Sequence, residues 1–334
     1  MDSIYKTREN SMFSGFILGI NLASEIMKKE KVNIEGMRMM RVGIIGIGNM
    51  GGRIVRRFLE EGVEVGVFDL NKDALESVAA LGAEVVKSPA QLALHYQYII
   101  TILPNVDIVK KTLLGGNGLL EGFQENSVLI EMTTSIPSVT KELSGIIEEK
   151  GFRMIDAPIS GGVKKAEDGT LTIMVGGSKD VFAEAQPLLN HIGSNIVHVG
   201  EVGAGHTIKA LNNLISATTL AVTGEAMALG VKLGLDPNKM LDVINCSTGK
   251  SFSSDFKFPT QVLTRKFEVG FTLDLMVKDL MIAMNMAEEQ KTPMFISSAV
   301  YQLWKHAWTQ GGSEMDHTAI VKFIEEMADV EIKA

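Results

Sequence analysis

A glycine-rich turn between a short apolar run and a helical pattern constrains the fold of this 334-residue chain more than any other feature. Residues 41–47 are rich in valine and isoleucine, and residues 46–51 follow the spacing G-x-G-x-x-G. At a strand-to-helix turn, the first glycine permits the tight turn, the second lets backbone N–H groups approach a pyrophosphate, and the third allows close helix packing. The turn predicts a dinucleotide site formed by Gly46, Gly48, Asn49, Met50 and Gly51.

An acidic residue ends the second predicted strand. The helical pattern of residues 50–61 leads into an apolar run at 63–68, which Asp69 follows. A carboxylate at this position binds the ribose hydroxyls of NAD and repels the 2′-phosphate of NADP. No arginine follows to receive a phosphate, although Lys72 is near. The sequence therefore favours NAD over NADP as cofactor, and a solvated turn acid is the other interpretation of Asp69.

Strand and helix patterns continue to alternate after this unit. Such alternation predicts an α/β fold with a parallel, doubly wound sheet of the Rossmann type. A helical pattern spans 137–150, and two later runs extend the sheet. The further predicted strands are 83–86, 98–103, 127–131, 152–156, 171–175 and 195–199.

Three polar clusters lie where predicted strands end. They occupy residues 103–105, 133–135 and 156–162. Each could be an ordinary turn, because proline, asparagine, serine and glycine form turns. Ligands of doubly wound sheets, however, bind outside the carboxyl ends of the strands. Three such clusters on the rim that carries the glycine-rich turn indicate a ligand site.

Strand patterns stop at residues 203–205, and the remainder is predicted to be helical. We therefore expect a nucleotide-binding domain over 40–203 and an all-helical domain for substrate binding and oligomerisation over 204–334. The apolar window 211–235 contains two asparagines, a glutamate and a lysine. A bilayer-spanning helix needs about 20 apolar residues without such charges, so this window is interpreted as a helix buried between protein layers.

Lys209 stands near the start of this predicted helix. Asn212 and Asn213 follow at i+3 and i+4, on the same helical face. A helix N-terminus disfavours an ammonium group, and burial would lower the lysine pKa further, so Lys209 could exchange a proton near neutral pH. An ordinary surface lysine is the equally weighted alternative.

Composition excludes several classes of partner. The chain carries 32 Lys and Arg against 40 Asp and Glu, a net charge of −8, so we expect neither nucleic acid nor a membrane surface as partner. Its one cysteine, Cys246, cannot form an intramolecular disulfide or a thiolate cluster, and the histidines lack ligand spacing. We expect no metal site and a reducing, cytoplasmic location.

The first 39 residues precede the first predicted strand and mix acids and bases around a short apolar stretch. They have neither the length of a membrane span nor the signature of a cleavable signal. One hypothesis is that they are not native and that the protein begins at Met37, Met39 or Met40. A loosely attached amphipathic arm is the alternative.

Three runs make the chain resemble the β-hydroxyacid dehydrogenase family. They are D-A-P-I-S-G-G at 156–162, G-A-G-H-T-I-K-A-L-N-N at 203–213 and K-D-L at 278–280. The resemblance extends from about Met40 to the C-terminus. It implies a Rossmann domain followed by an all-helical domain like that of 6-phosphogluconate dehydrogenase, and NAD-dependent hydride transfer to or from a small 3-hydroxy acid of the 3-hydroxyisobutyrate, tartronate semialdehyde or 2-(hydroxymethyl)glutarate type.

The resemblance also implies roles for single residues. Lys209 would be the general acid/base, and Asn213 would orient it or the substrate. The substrate carboxylate would be bound by Ser160, Gly161 and Gly162. Residues implied to contact the cofactor are Leu103, Pro104, Asn105, Thr134, Phe271 and Lys278.

The sequence leaves the substrate open. Lys164, Lys165 or Lys250 could pair with a second anion, which would favour a dicarboxylate or sulfonate, but solvated surface lysines are the stronger interpretation. Residues 163–171 are more similar to the tartronate and hydroxymethylglutarate branches, whereas residues 247–255 are more similar to the hydroxyisobutyrate branch. These two signals conflict.

Three rival functions have weaker support in the sequence. Tyr301 and Lys305 match the Tyr-x-x-x-Lys pattern of short-chain dehydrogenases, but they lie far from the glycine-rich turn and are interpreted as helix packing around Trp304. A nucleotide-sugar dehydrogenase would need a cysteine nucleophile, but Cys246 lies in a predicted loop of the helical domain without a glycine-rich context nearby. A catalytically inactive NAD-binding module that recognises a partner is the alternative from another class. The small residues and 19 methionines suggest a homo-oligomer, either a dimer or a tetramer.

Overall fold

The computed structural model describes residues 40–334, and the predicted extension over residues 1–39 lies outside them. The first part of the described chain alternates strands with helices. The strands are β1 (Arg41–Ile45), β2 (Glu64–Phe68), β3 (Glu84–Val85), β4 (Tyr98–Thr101), β5 (Val128–Glu131), β6 (Arg153–Asp156), β7 (Ile159–Ser160), β8 (Leu171–Gly176) and β9 (Gly193–Gly200). The helices are α1 (Gly51–Glu60), α2 (Lys72–Ala79), α3 (Pro89–His95), α4 (Val106–Leu114), α5 (Leu119–Gly122), α6 (Pro137–Glu149), α7 (Gly162–Glu167) and α8 (Lys179–Leu189).

All nine strands form one sheet, and its order confirms the Rossmann prediction. Six parallel strands run in the order β3-β2-β1-β4-β5-β6. Beyond β6 the sheet becomes mixed, because β8 pairs antiparallel with both β6 and the short strand β7, while β9 runs parallel to β8. Because β6 and β7 both pair antiparallel with β8, they run in the same direction, and the chain turns back only after β7, through α7 and the residues that lead to Leu171.

Apolar side chains cover both faces of this sheet. One buried cluster includes Ile44, Phe58 and Ile130, and a second cluster on the other face includes Ile99 and Leu129. Alternate residues of β4 and β5 therefore serve opposite cores, as the two-residue period of a strand requires. Burial on both faces explains the continuous apolar runs of these strands in the sequence.

The rest of the described chain is helical. It consists of α9 (Ala204–Lys232), α10 (Pro237–Asn245), a π-helix (Ser253–Val262), α11 (Leu273–Glu289), α12 (Phe295–Ala307), a second π-helical segment (Trp308–Gly312), a 3₁₀ turn (His317–Ala319) and α13 (Ile320–Ala328). Their shared core contains Trp304 and Phe258, both inaccessible to solvent. Trp304 lies on α12 between Tyr301 and Lys305, in agreement with the packing interpretation of that Tyr-x-x-x-Lys match.

Helix α9 connects the two parts of the fold. By length and composition alone it could cross a membrane, but half of its most apolar window is buried inside the protein. Its first turns pack against β8 and β9, and its later turns pack against α11 and α13. This packing agrees with the interpretation of the window 211–235 as a helix between protein layers up to Lys232; residues 233–235 follow the helix end.

Candidate active site

The turn between β1 and α1 has the geometry of a dinucleotide phosphate cradle. Gly46 has φ +99°, which other residues rarely adopt, and a Cβ there would collide with the carbonyl oxygen of Ile102. A Cβ on Gly51 would collide with the carbonyl oxygen of Gly46, so the helix can pack this closely only with glycine. Beside Gly48, in contrast, a Cβ would meet no atom within 4 Å. The turn is therefore closed on its protein side and open at its second glycine.

The N-terminus of α1 is also available to a ligand. Met50 is its N-cap residue and provides no side-chain hydrogen bond, and the first turn contains no acid. The next helix shows the contrast, because the side chain of its N-cap Asn71 accepts a hydrogen bond from Ala74 N. The positive end of α1 thus lacks the usual internal acceptor and suits an anionic group.

Asp69 follows β2 at the same rim. Its carboxylate accepts hydrogen bonds from the backbone N–H groups of Ile47, at 2.5 Å, and Asn71, at 2.8 Å. The acid therefore joins the glycine-rich turn to the end of β2. Each carboxylate oxygen can accept a further hydrogen bond, so the group can still bind ribose hydroxyls.

A buried glutamate joins two of the polar clusters at the strand ends. The carboxylate of Glu131, at the end of β5, accepts hydrogen bonds from Thr101 Oγ1 at 2.8 Å and Thr133 N at 2.6 Å. Thr133 Oγ1 in turn accepts a hydrogen bond from Leu103 N at 2.9 Å. This network holds the loop that carries Leu103 against the loop that carries Thr134. Burial raises the pKa of Glu131 to about 7, even though the threonine hydrogen bonds lower it.

The other two predicted residues of the first loop are exposed. Pro104 and Asn105 follow Leu103, and the side chain of Asn105 caps α4 by accepting a hydrogen bond from Ile108 N at 3.1 Å. This cap gives Asn105 a structural role independent of any cofactor contact.

Asp156 connects the sheet to the helical part of the fold. Its buried carboxylate accepts hydrogen bonds from Gly203 N at 2.7 Å and His206 N at 2.8 Å. These N–H groups lie at the start of α9, so Asp156 caps that helix from the end of β6. His206 is fully buried, its Nδ1 lies 2.9 Å from Thr140 Oγ1, and burial lowers its pKa. The start of α9 is thereby held against the sheet.

Lys209, one turn further along α9, is buried and not an ordinary surface lysine. Burial lowers the pKa of its amine; the Asp279 carboxylate raises it and the Lys278 ammonium lowers it again. Asn213 Nδ2 donates a hydrogen bond to Asp279 Oδ2 at 2.6 Å, and Lys278 Nζ lies 3.6 Å from Asp279 Oδ1. The structure thus brings together Lys209, Asn213 and Lys278 around Asp279. Asn212, the other predicted neighbour, is exposed.

The turn after β7 contains two glycines with unusual backbone conformations. Ser160 ends β7, and Gly161 and Gly162 have φ values of +137° and +71°. A Cβ on Gly162 would meet no atom within 4 Å. The exposed backbone is open at Gly162, which suits an approaching carboxylate, whereas the Lys165 side chain lies beside Gly161.

Phe271 precedes α11, on which Lys278 lies. The Phe271 ring contacts the His317 ring at a centroid distance of 5.7 Å, and its backbone N–H donates to Asp316. Its side chain is partly exposed, as is that of Lys278. Both residues therefore lie on well-anchored elements with part of the side chain accessible.

The three lysines considered for a second anion are exposed. Lys164 pairs with Asp168, and Lys250 pairs with Asp255, each in an N–O distance of 3.1 Å. Lys165 is also exposed. Sequence reasoning missed the buried Lys257 and Glu131, because periodicity alone does not reveal that a charged residue of a helix or of a strand end is buried. The only sequence feature that could have indicated their burial is a charged residue within a run of apolar or small residues.

Family models match both parts of the chain. Residues 41–200 match the NAD-binding domain of 6-phosphogluconate dehydrogenase. Residues 203–324 match a domain described as the NAD-binding domain of NADP-dependent 3-hydroxyisobutyrate dehydrogenase.

Individual proteins are similar over most of their length. The chain is 37% identical over 295 residues to 2-(hydroxymethyl)glutarate dehydrogenase of Eubacterium barkeri, which covers 88% of this chain and 98% of that one. It is 38% identical over 291 residues to the mitochondrial 3-hydroxyisobutyrate dehydrogenase of Homo sapiens, and the alignment covers 85% of this chain and 87% of that protein. A structure of Mycobacterium tuberculosis 3-hydroxyisobutyrate dehydrogenase with L-serine superposes with a TM-score of 0.80 at 28% identity. The superposition covers 86% of this chain and 99% of that one.

The fold and the cradle together define an NAD(P)-dependent oxidoreductase with a Rossmann domain and a helical second part. Within that class, the chain belongs to the β-hydroxyacid dehydrogenase family, because relatives above 30% identity cover nearly all of the described residues. The resemblance carried by the three sequence runs is confirmed, and the interpretation as an enzyme acting on 3-hydroxy acids is confirmed with it.

Proposed function

We propose that this protein oxidises a small 3-hydroxy carboxylic acid with NAD, or reduces the corresponding semialdehyde, and that Lys209 is the general acid/base. The observation that carries the proposal is the buried Lys209 amine, with its lowered pKa, beside Asn213 and the Asp279–Lys278 pair. The names of the relatives support the substrate class, since both 3-hydroxyisobutyrate and 2-(hydroxymethyl)glutarate carry a hydroxymethyl group next to a carboxylate.

The cradle residues would hold the cofactor. Gly48 leaves room for the pyrophosphate beside the uncapped start of α1, and Asp69 would bind the adenosine ribose. Leu103 and Thr134, on the joined loops, would line the nicotinamide half, with Phe271 and Lys278 approaching from the helical part. When bound, the nicotinamide ring accepts or supplies the hydride.

The remaining chemistry belongs to side chains of this protein. Ser160 and the backbone at Gly161 and Gly162 would bind the carboxylate and so orient the hydroxyl-bearing carbon. Lys209 in its neutral form would take the hydroxyl proton during oxidation, and its ammonium form would return that proton during reduction. Asn213, fixed by Asp279, would hold the hydroxyl or the amine in line.

NAD is the proposed cofactor because Asp69 places a negative charge where NADP carries a phosphate. Both carboxylate oxygens of Asp69 already accept a backbone hydrogen bond, which keeps the charge at the rim of the cradle. Like charges at this position would cost binding energy for NADP.

The test compares Lys209→Ala and Lys209→Arg with the wild type. Removing the base should lower kcat by about 10²–10⁴-fold for 3-hydroxyisobutyrate, the usual contribution of general acid/base catalysis. Arginine keeps the positive charge but does not deprotonate, so it should not restore activity. The Kd for NAD, measured by fluorescence titration, should change little. Equal loss of turnover and of NAD binding would show that Lys209 is structural.

The pH dependence of the wild type gives a second test. Oxidation needs the neutral amine, so kcat/KM for oxidation should rise with pH through the pKa of Lys209, and this pKa should lie below the ordinary lysine value of 10.5. Reduction should show the opposite slope. An oxidation rate that does not change with pH below this ordinary lysine value would contradict the assignment.

We also propose that the protein is cytoplasmic and forms homo-oligomers. The single cysteine, Cys246, is a free and exposed thiol, which suits a reducing compartment. Four exposed apolar residues on α9 recur every seven positions, namely Ile208, Ile215, Val222 and Leu229. A seven-residue apolar repeat forms the seam between paired helices, so a second copy of this chain is the proposed partner.

A further inference from the structure

Lys257 is the one strongly buried lysine, among residues 40–334, that the mechanism above does not use. It lies in the π-helix Ser253–Val262, and only 7% of its surface is exposed, the same fraction as for Lys209. Burial lowers its pKa to about 8, although the Asp316 carboxylate raises it. A buried cation is costly unless other groups satisfy it.

The neighbours of Lys257 only partly satisfy its ammonium. Its Nζ donates one hydrogen bond, to Ser216 Oγ at 2.9 Å. An ammonium group has three donors, so two remain. Within the part of the chain that the structure describes, no carboxylate lies within ion-pair distance of Lys257.

Asp316 is the acid that faces Lys257, and its oxygens are occupied elsewhere. They accept hydrogen bonds from the backbone N–H groups of Gly270, Phe271 and Thr318, and from Thr318 Oγ1. Although burial raises the pKa of Asp316, hydrogen bonds from Thr318 and His317 and the charge of His317 lower it well below its usual range. Asp316 therefore stabilises Lys257 at long range but is committed to its own loop.

The position of Ser216 relates Lys257 to the proposed catalytic lysine. Ser216 follows Lys209 by seven residues on the unbroken helix α9, which is two turns and about 10 Å along the axis, and it returns to the same face. Asn213 lies between them on this face. Thr219 extends the row and contacts Ser253 Oγ at 3.2 Å, at the start of the π-helix. The segment that carries Lys257 is thus packed along the polar stripe that begins at Lys209.

This arrangement sets the size of a matching ligand. Lys209 and Ser216 are separated by about 10 Å along the α9 axis. A hydrogen bond of about 3 Å at each end of a bound molecule takes up part of this separation, and a chain of a few carbon atoms spans the rest. A monocarboxylate bound at Ser160–Gly162 would leave the ammonium of Lys257 with only its serine partner. A second carboxylate at the far end of the substrate would supply the missing acceptor.

We propose that Lys257 binds a second anionic group of the substrate and makes this protein selective for 3-hydroxy dicarboxylic acids. The inference rests on the proposed function and names its substrate class. The role of binding a second anion, which the sequence allowed for Lys164, Lys165 or Lys250, is thereby assigned to the buried Lys257. The three surface lysines face solvent or nearby acids, whereas Lys257 contacts the stripe of Lys209.

The first experiment compares Lys257→Gln with the wild type on two acids, 2-(hydroxymethyl)glutarate and 3-hydroxyisobutyrate, in the presence of NAD. Glutamine keeps a donor for Ser216 but removes the charge. We expect the wild type to have the higher kcat/KM for the diacid. We expect the variant to lose about 10–100-fold on the diacid, mainly in KM, because a hydrogen bond to a charged group contributes at this scale. Its kcat/KM for the monoacid should stay within about twofold of the wild-type value. The monoacid has no group that reaches Lys257, and the effects of independent groups add to within about this factor.

Lys250→Gln is the matched control, because Lys250 lies just before the same π-helix but is exposed and paired with Asp255. It should leave both substrates unaffected. An equal loss on both acids in Lys257→Gln would show that Lys257 only anchors the segment and would overturn the inference. A wild type that prefers the monoacid would overturn it while leaving the proposed function intact, whereas a wild type that oxidises neither acid would refute the proposed function.

A second measurement needs no variant. Glutarate and butyrate lack the reacting hydroxyl, so each can only inhibit the wild-type enzyme by occupying the substrate site. Glutarate should inhibit about tenfold more strongly, or better, by the same argument about a charged hydrogen bond. Equal inhibition constants would show that no group in the site recognises the second carboxylate.

Discussion

Single residues in this site acquire their chemistry from burial. Lys209 and Lys257 are both lysines of the helical part, and both have lowered pKa values because protein replaces water around the amine. Lys250, only seven residues before Lys257, stays in solvent beside Asp255. The residue type is the same in all three, so the difference in proposed role follows from the environment alone.

Asp69 gives a prediction at the residue scale. In Asp69→Asn, one side-chain oxygen still accepts a backbone hydrogen bond, but the negative charge is gone. The ratio of kcat/KM for NADP to that for NAD should rise by about 10-fold or more. Repulsion between two like charges at this distance costs about one pKa unit or more in free energy, which corresponds to a tenfold change in binding. Steady-state kinetics with both cofactors measures the ratio. An unchanged ratio would show that Asp69 serves only to tie Ile47 and Asn71 together.

At the scale of elements, polar side chains at the carboxyl ends of strands hold the loops in place. Glu131, the last residue of β5, connects the ends of β4 and β5, and Asp156, the last residue of β6, caps α9. The strands are rigid because apolar side chains cover both faces, so these acids occupy defined positions. Strand ends thereby position both the loops that carry Leu103 and Thr134 and the start of the helix that carries Lys209.

Glu131 gives a prediction about stability. The pKa of Glu131 is raised from 4.5 to about 7 in the folded protein, so its contribution to stability is fully present below pH 4.5 and is lost as the pH rises through 7. The neutral amide of Glu131→Gln avoids this loss. Between pH 5 and pH 8, the free energy of unfolding should shift in favour of the variant by up to about 3 kcal/mol.

Chemical denaturation at the two pH values measures this shift. Glu148→Gln, which changes a glutamate on the α6 surface bonded to Ser144, controls for a general effect of charge. If both variants changed with pH by the same amount, the prediction for Glu131 would be wrong.

At the scale of the whole molecule, α9 serves two purposes. One side of it packs against the sheet and the other helices and carries the proposed catalytic residue. Its exposed stripe carries an apolar side chain every seven residues, with Ile215 at 64% and Leu229 at 61% exposure. Exposed apolar surface of this kind is where protein chains associate, which supports the homo-oligomer that we propose.

Ile215→Lys tests the association. A charge at the middle of an apolar seam must be desolvated, so the variant should shift the protein towards monomers. Light scattering after size-exclusion chromatography measures the mass. Val243→Lys is the control, because Val243 is equally exposed but lies on α10, away from the stripe. A wild type that is already monomeric would refute the homo-oligomer proposal.

The sequence by itself determined the fold class, the cradle and the family. Glycine spacing, alternating strand and helix patterns and the run at 203–213 are local signals, because backbone sterics and apolar periodicity act over a few residues. Only the tertiary structure decided the direction of β8 and the burial of Lys209, Lys257 and Glu131. These depend on which elements pack together, and the free energy of burying a charge is set by neighbours that are distant in the chain.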